Sequence, residues 1–568
     1  MGYRQDKKAK WCTHFGYTLC FVFLGISLFI SLPLSASRAD GLWRRFALPD
    51  GRTMPLQLCG DEYHHYYRAA DGQIYLRAEG GAFETVSLED FSSGMSVAAQ
   101  TRASANTRRI GETAPEVYQG QRRQLLILVS FADQDFLQSD AETSQLWNHV
   151  ANTAGFTNAW GAEGSVRDYF LAQSSGLFDM TCDVVGPIKL TNNAAYYGQN
   201  TGYSDNLSRV EQMVREACQA AAEQTDFADY DWNGDGAPEQ VIIIYAGEGE
   251  ATGGDDNTIW PKQSTVSMTL NGQQLRFKYV CINEAYDNGD GNMQTMGIGT
   301  LCHEFAHCLG LPDLYNTNPP SYSPNGGIVD LWDLMDGGNY TPNMMWTPIG
   351  FSAYERMFCG WLSPTELTDP ASVRSLNTIA GGGTAYQIIN DAADGTTDEY
   401  YLLENRQQQG WDYYLPGHGL VVTHIDYPAA GWGSRQPNND MNHLRIAPIP
   451  ADGDLTSYFT DATPLAHLAY PYVVDGVVMN NALTDDSSPA ATVFRTNTSG
   501  TNLMRKPVTN ITETASLVGF DFMGGAPDAI SRPRAAEADT PGFELDGRPA
   551  GSSTRSRLTI KDRRKIFK

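Results

Sequence analysis

Apolar residues follow three rhythms along this chain. From Leu42 to about Val86, short alternating runs are broken by turn signals at Pro49-Asp50-Gly51 and Ala70-Asp71-Gly72, which predicts the strands of a small β unit. Leu125-Leu126-Ile127-Leu128-Val129 and Val241-Ile242-Ile243-Ile244-Tyr245 are continuous apolar runs, short enough to be fully buried strands. Between them, Asn206 to Gln224 carries Leu207, Val210, Met213, Val214 and Ala217 at helical spacing. Beyond Gly381 the pattern returns to strands at Tyr400–Leu403, Gly419–Val422 and Val518–Phe522, set among Gly, Asn and Asp turns. Helices mixed with strands predict an α+β chain with a β-rich C-terminal part, and no internal repeat is present.

Two segments stand outside these rhythms. Lys7, Lys8 and Lys10 precede an apolar run from about Phe15 to Leu34, and Ser35-Ala36-Ser37-Arg38-Ala39 then supplies small residues suited to a signal peptidase. We read residues 1–39 as a signal peptide, the alternative being an N-terminal membrane anchor; the mature product is expected to be exported, with no stable transmembrane anchor. From Phe91 to Gln121 the chain is rich in Ser, Ala, Thr and Arg, with basic pairs at Arg108-Arg109 and Arg122-Arg123. This reads as a linker exposed to proteolytic nicking, so residues 40–121 are expected to be a pro-region and linker.

The length of 568 residues is too great for one core and implies several domains. With 66 Asp+Glu against 40 Lys+Arg, the net charge of −26 excludes any global affinity for nucleic acid or anionic membrane. Of nine cysteines, Cys12 and Cys20 lie in the signal. Cys59, Cys182, Cys218, Cys281, Cys302, Cys308 and Cys359 are widely spaced, without a disulfide framework or a CxxC knuckle. They are expected to be buried thiols with one or two bridges at most.

The chemistry concentrates at Thr300-Leu301-Cys302-His303-Glu304-Phe305-Ala306-His307-Cys308-Leu309-Gly310-Leu311-Pro312-Asp313. On a helix, positions i and i+4 share a face, so His303 and His307 can direct ring nitrogens at one Zn²⁺. Glu304, beside the metal, is placed to take a proton from the activated water and pass it to the leaving amine. Gly310 can adopt positive φ and turn the chain back, and Pro312 forbids further helix. That turn brings Asp313 toward the third ligand position, where metzincins carry a histidine. Asp333 and Glu355 are the competing carboxylates. Further on, Trp332-Asp333-Leu334-Met335-Asp336-Gly337-Gly338-Asn339-Tyr340 supplies a Met followed by glycines, as in a Met-turn, and Tyr340 is a candidate to stabilise the oxyanion.

These residues resemble the immune inhibitor A-like secreted metallopeptidases, a metzincin-related family. The resemblance runs from about Arg123 to Leu367, more weakly to Gly525. It includes Ser165–Phe170 with Ser175–Phe178, Asp183–Pro187, the zinc motif through Tyr315, Trp332–Gly337, Ser352–Arg356 and Gly360–Leu362. It implies a secreted zinc endopeptidase made as a precursor, with His303 and His307 as zinc ligands and Glu304 as base. The block Gly60–Tyr66 is similar to the pro-region of such proteins, and Cys59 could cap the zinc, the alternative being a buried structural thiol.

A second metal signal lies at Asp229 to Glu239, where oxygen side chains recur at alternate positions before Gly236. Asp231, Asn233, Asp235 and Glu239 could surround Ca²⁺, although Ile242 replaces the closing Glu of an EF-hand loop; the alternative is a polar turn before a strand. His418, His424 and His443, with Asp426, are read as structural, as are Glu404, Asn405 and Arg406. After Gly525 a Pro- and Ala-rich linker leads to a basic tail with seven Lys/Arg and one Asp between Arg555 and Lys568. The tail resembles the closing strands of type IX secretion sorting domains, the alternative being a solvated basic tail.

The sequence thus predicts a signal at 1–39, a pro-region and linker at 40–121, a metzincin-like zinc-protease domain at 122–380, a β-rich part at 381–525 and a tail at 526–568. Its expected cofactor is Zn²⁺, with Ca²⁺ as a further candidate; its expected partners are protein or peptide substrates and secretion machinery. An inactive surface-binding protein on a protease scaffold, and a metal-dependent amidase of cell-wall peptides, are the alternatives.

Overall fold

The computed structural model describes residues 37–48, 52–77, 81–87, 91, 118–200, 205–287, 291–317, 327–426, 437–455 and 466–525, with the backbone of 543–544, 558–561 and 564–567. The apolar run at 15–34 and the linker from 92 to 117 lie outside the described residues.

The N-terminal β unit is an antiparallel meander of five strands: β1 (Trp43–Ala47), β2 (Thr53–Asp61), β3 (His64–Ala69), β4 (Ile74–Arg77) and β5 (Phe83–Thr85). Leu56, Leu58, Tyr67, Ala69 and Phe83 from this sheet bury themselves with Ala251 and Trp260 of the following domain. One face of the sheet therefore completes its core on the neighbour, while Cys59, Tyr66, Ile74, Leu76 and Phe91 close a small core of the unit's own.

The central domain is built on a six-stranded mixed sheet. Its strands are β6 (Gly120–Ser130), β7 (Phe178–Lys189), β8 (Gln240–Glu248), β9 (Lys262–Leu270), β10 (Gln273–Tyr286) and β11 (Gln294–Thr295). β7, β6, β8 and β10 run parallel in that spatial order, while β9 and β11 pair antiparallel with β10. The helices are α1 (Asp140–Asn152), α2 (Val166–Gln173), α3 (Ala194–Gly198), α4 (Leu207–Ala221), α5 (Gly299–Leu309) and α6 (Ala353–Phe358).

Both apolar runs read as strands are fully buried, and their alternate residues serve two cores. Leu126, Leu128, Ile242 and Ile244 pack with α1, α2 and α5, whereas Leu125, Ile127, Val129, Val241 and Ile243 pack under α4. A sheet covered on both faces needs continuous apolar text, which is why these runs do not alternate.

Among the described residues beyond Leu362 the regular structure is strand apart from short 3-10 turns, as at Gly410–Asp412. β12 (Thr365–Glu366), β14 (Tyr386–Ile389), β15 (Glu399–Arg406), β16 (Gly419–Asp426) and β17 (Ile446–Pro448) form one sheet, and β13 (Ala371–Leu376), β20 (Val508–Thr514) and β21 (Leu517–Phe522) another. β18 (Tyr472–Val474) and β19 (Val477–Asn480) make a hairpin, and β22 (Phe543–Glu544), β23 (Leu558–Lys561) and β24 (Arg564–Phe567) an antiparallel backbone sheet in the tail. Tyr400, Leu402, Val421 and Ile425 join the central core, while Tyr401, Leu403, Leu420 and Val422 face a separate one. One face of this sheet thus continues the central core across residue 381, and the two parts are packed as one body.

Glu404 and Arg406 support that junction, the first accepting from Ala353 N at 2.9 Å and the second donating to Asp412 and to the Gly350 carbonyl. Asn405 ties Leu376 O to Ser516 O. His424 pairs with Glu399 at 2.9 Å, His443 with Asp426 at 2.5 Å and His418 with Glu513 at 2.8 Å, so each is held by a single carboxylate. All seven described cysteines are buried and unbridged. The disulfides allowed for in the sequence reading do not form among these residues, each thiol being buried in the packing around its own strand or helix.

Candidate metal centre

Helix α5 is buried along its whole length, and its sequence explains both of its functional faces. Leu301, Cys302, Phe305, Ala306 and Leu309 fill the core under the sheet, which fixes the rotation of the helix and turns His303 and His307 to the other side. The helix ends at Gly310, whose φ of 104° is the left-handed conformation the sequence reading asks of it. After that reversal Leu311 presents its carbonyl to His307, and Asp313 comes back toward both imidazoles.

The three side chains converge. His303 Nε2 lies 3.2 Å from His307 Nε2, and Asp313 Oδ1 lies 3.4 Å and 3.2 Å from the two nitrogens. Tetrahedral ligands bound at about 2.0–2.1 Å stand about 3.3 Å apart, which is this spacing. Among the described residues it is the only group of three or more His, Cys, Asp or Glu whose ligand atoms gather in this way. Asp333, Glu355 and Cys59 are not part of it.

Protonation reinforces the fit to a cation. His303 Nδ1 faces Leu334 O at 2.7 Å and His307 Nδ1 faces Leu311 O at 2.9 Å, so both Nδ1 atoms must donate and both Nε2 atoms are left as lone pairs. Two lone pairs and a carboxylate oxygen with no hydrogen-bond donor then face one another in a buried space. A metal cation would satisfy that arrangement, and the N,N,O donor set suits zinc.

The turn carrying Met335 lies against this centre. Its Leu334 carbonyl orients His303, and its Met335 carbonyl accepts from Leu314 N at 2.8 Å, clamping the segment that carries Asp313. Asp333 and Glu355 instead interact with each other, and burial raises both carboxyls. Glu355 also accepts from Ser352 N at 2.6 Å at the start of α6.

Glu304 is buried beside the centre, and its contact comes from an unexpected part of the chain. Ser37 N donates to Glu304 Oε1 at 2.6 Å and Ser37 Oγ at 2.8 Å, while Oε2 has no partner. Burial pushes the Glu304 carboxyl up to about 7, against the pull of His303 and the Ser37 donors. Trp260 Nε1 donates to Ser37 O at 2.9 Å, and Tyr340 Oη donates to Arg38 O at 2.6 Å. Tyr340 is therefore near the centre, with its hydroxyl on a main-chain carbonyl; burial raises its pKa well above 10, so it stays a donor. The Arg38 guanidinium pairs with Asp330 and lies 3.5 Å from Asp336.

Sequence reading missed Ser37, Arg38, Trp260, Asp330 and Asp336 as site residues. It took Ser37-Arg38-Ala39 only as a peptidase cleavage signal, yet all three are buried in the cleft. Asp330 and Asp336 could have been found as acidic residues flanking Met335.

The candidate calcium residues are arranged differently. Asp231 Oδ1 and Oδ2 accept from Gly234 N at 2.7 Å and Gly236 N at 2.8 Å, Asn233 Oδ1 from Asp235 N at 2.8 Å, and Glu239 Oε2 from Trp232 N at 2.6 Å. The loop thus satisfies its own backbone, and Glu239 Oε1 is left buried without a partner.

Residues 121–361 match the family described as Immune inhibitor A peptidase M6, catalytic domain. The chain is 27% identical over 257 residues to a pre-pro-metalloprotease, PrtV, of Vibrio cholerae serotype O1, covering 39% of this chain and 27% of that protein. It is 27% identical over 274 residues to Immune inhibitor A of Bacillus thuringiensis subsp. alesti, covering 41% of this chain and 39% of that protein. The chain therefore spans well under half the length of these curated relatives. Among the described residues no helix is long and apolar enough to cross a membrane.

Proposed function

We propose that the chain is an exported zinc-dependent endopeptidase of the immune inhibitor A type, with a metzincin-like catalytic domain at residues 122–380. The observation that carries the reading is the convergence of His303 Nε2, His307 Nε2 and Asp313 Oδ1 beside the buried Glu304. A zinc ion held by those three residues would supply a Lewis acid for the scissile carbonyl and would acidify the attacking water.

The chain's own residues account for the remaining steps. Glu304, a carboxyl poised near neutrality by burial, takes the proton of the attacking water and returns it to the leaving amine. The carbonyls of Leu334 and Leu311 hold the two imidazoles in one tautomer, so that Nε2 of each faces inward. Tyr340 offers a hydroxyl donor to a carbonyl oxygen in the cleft. Trp260 offers a second donor, its indole N–H, to a main-chain carbonyl in the cleft.

Residues 40–121 fit a pro-region, because the N-terminal strands bury Trp260 and the preceding Ser37–Arg38 segment occupies Glu304. Protein substrates, export through a signal peptide and a sorting role for the basic tail belong to the same reading. Calcium at Asp231, Asn233, Asp235 and Glu239 is supported by alternate oxygen side chains and the free Glu239 Oε1; a raised melting temperature with Ca²⁺ but not Mg²⁺ is the expected result, and no shift removes the site.

The test of the function is hydrolysis of casein and gelatin by the chain lacking its signal, before and after tryptic nicking, beside Glu304→Ala. Cleavage that disappears in the variant is expected. Zinc bound with no protein cleaved after nicking would favour the binding protein or the amidase.

A further inference from the structure

One residue beyond the amide that touches Glu304, the Arg38 guanidinium sits in a closed, acidic box. We propose that this box is the subsite for the second substrate residue on the leaving-amine side of the scissile bond, and that it selects arginine; the inference rests on the peptidase reading of the same centre.

The register comes from Ser37. Its amide nitrogen lies 2.6 Å from Glu304 Oε1, the carboxylate that returns the proton to the leaving nitrogen, so it occupies the place of that nitrogen. Ser37 then stands for the first residue after the cut and Arg38 for the second. The main chain of the segment is gripped independently of sequence, Trp260 holding the first carbonyl and Tyr340 the second. Any peptide could use those two donors, which leaves discrimination to the side-chain box.

The box is built for a guanidinium. Asp330 Oδ1 accepts from Arg38 Nη2, and Asp336 Oδ1 lies 3.5 Å from Nε. Asp336 is fully buried and cannot swing away, because its Oδ2 accepts from Ile328 N, Val329 N and Asp330 N at 2.7, 2.8 and 2.9 Å. Its Oδ1, with no hydrogen-bond partner, is left aimed into the box. The walls are glycine for a steric reason: a Cβ on Gly337 would lie 2.3 Å from Arg38 Nη2 and 2.0 Å from Asp330 Oδ1, and one on Gly327 would lie 3.0 Å from Nη1. Two carboxylates at different faces of a planar fork favour arginine over lysine, whose single ammonium can meet only one of them well.

The exported, processed protein loaded with zinc should be given a proteome-derived peptide library and its cut sites read by mass spectrometry. Arginine is expected at the second position after the cut at least about five-fold above background. Asp330→Asn, chosen because Asp330 has a φ of 46° that Asn tolerates, should bring that enrichment to background. No enrichment in the unaltered enzyme, or enrichment unchanged in Asp330→Asn, overturns the subsite and supports a purely structural ion pair.

A second readout is free of catalysis. Arg38→Ala in the full chain vacates the box, and ethylguanidinium should then raise the melting temperature where ethylammonium does not, the effect vanishing in Arg38→Ala/Asp330→Asn. Ethylguanidinium binding in a chain that cleaves nothing would overturn the peptidase reading alone. Cleavage without that binding would overturn the box alone.

Discussion

Ser37 N donates to Glu304 Oε1 across 2.6 Å, joining residues separated by 267 positions in the chain. The candidate general base is thus engaged by the segment that lies next to the predicted signal junction.

That contact constrains where the signal is removed. The small-residue pattern offers a cut after Ala39, but such a cut discards Ser37 and Arg38, and with them the bonds to Glu304, Trp260 and Asp330. The exported precursor is therefore expected to begin at Ser37 or upstream of it. N-terminal sequencing of the secreted form that returned Asp40 would mean the contact does not exist outside the cell.

Docking of the N-terminal sheet should weaken as pH rises. His65 is buried between Trp260, stacked at 4.9 Å, and Glu250, 3.0 Å away. Burial lowers its pKa, but the Glu250 carboxylate raises it further, and the net shift is upward from 6.5. A base whose folded pKa lies above its unfolded one binds its proton more tightly when folded. Its stabilisation is complete below about 6.5 and is lost as pH climbs through the raised value. Asp256 nearby, pushed up to about 6 by burial, adds a loss in the same direction at lower pH. Protection of the β2 and β3 amides, taken relative to the base-catalysed intrinsic exchange rate at each pH, should be lower at pH 8.5 than at pH 6, and His65→Gln should flatten the difference; protection that increases with pH contradicts this.

Gly310→Ala should damage the centre from a distance. At a φ of 104° a Cβ is strained, roughly 1–2 kcal/mol, and relief of that strain moves Leu311 O and Asp313 away from His307. Denaturant unfolding should show the loss of stability, and competition with a chelator should show weaker zinc retention. A variant with unaltered zinc affinity would separate the reversal at Gly310 from the ligand geometry.

The legible part of the site is the local part. His303, Glu304, His307, Gly310 and Asp313 lie within eleven residues, so helix periodicity and one left-handed cap fix their relation, and no distant residue is needed. The carbonyl of Leu334 and the Ser37–Arg38 segment reach the same place through tertiary packing, for which spacing carries no signal. Short-range oxygen patterns are ambiguous in another way: Asp231, Asn233 and Asp235 alternate as a calcium loop does, yet the same alternation serves backbone N–H groups of a tight turn. The buried strands at Leu125–Val129 and Val241–Tyr245 were readable because both faces of their sheet are covered. That the sheet carrying β15 and β16 continues the central core was not, since strand alternation does not say which face meets which partner.

The most direct measurement is zinc content per chain alongside casein hydrolysis for the unaltered protein, Glu304→Gln and Asp313→Ala. Glu304→Gln should keep one zinc and lose activity by about 10²–10⁴-fold, as removal of a general base does, whereas Asp313→Ala should lose both metal and activity. Zinc retained at full occupancy in Asp313→Ala, or undiminished hydrolysis in Glu304→Gln, would contradict the assignment of ligands and base on which the account stands.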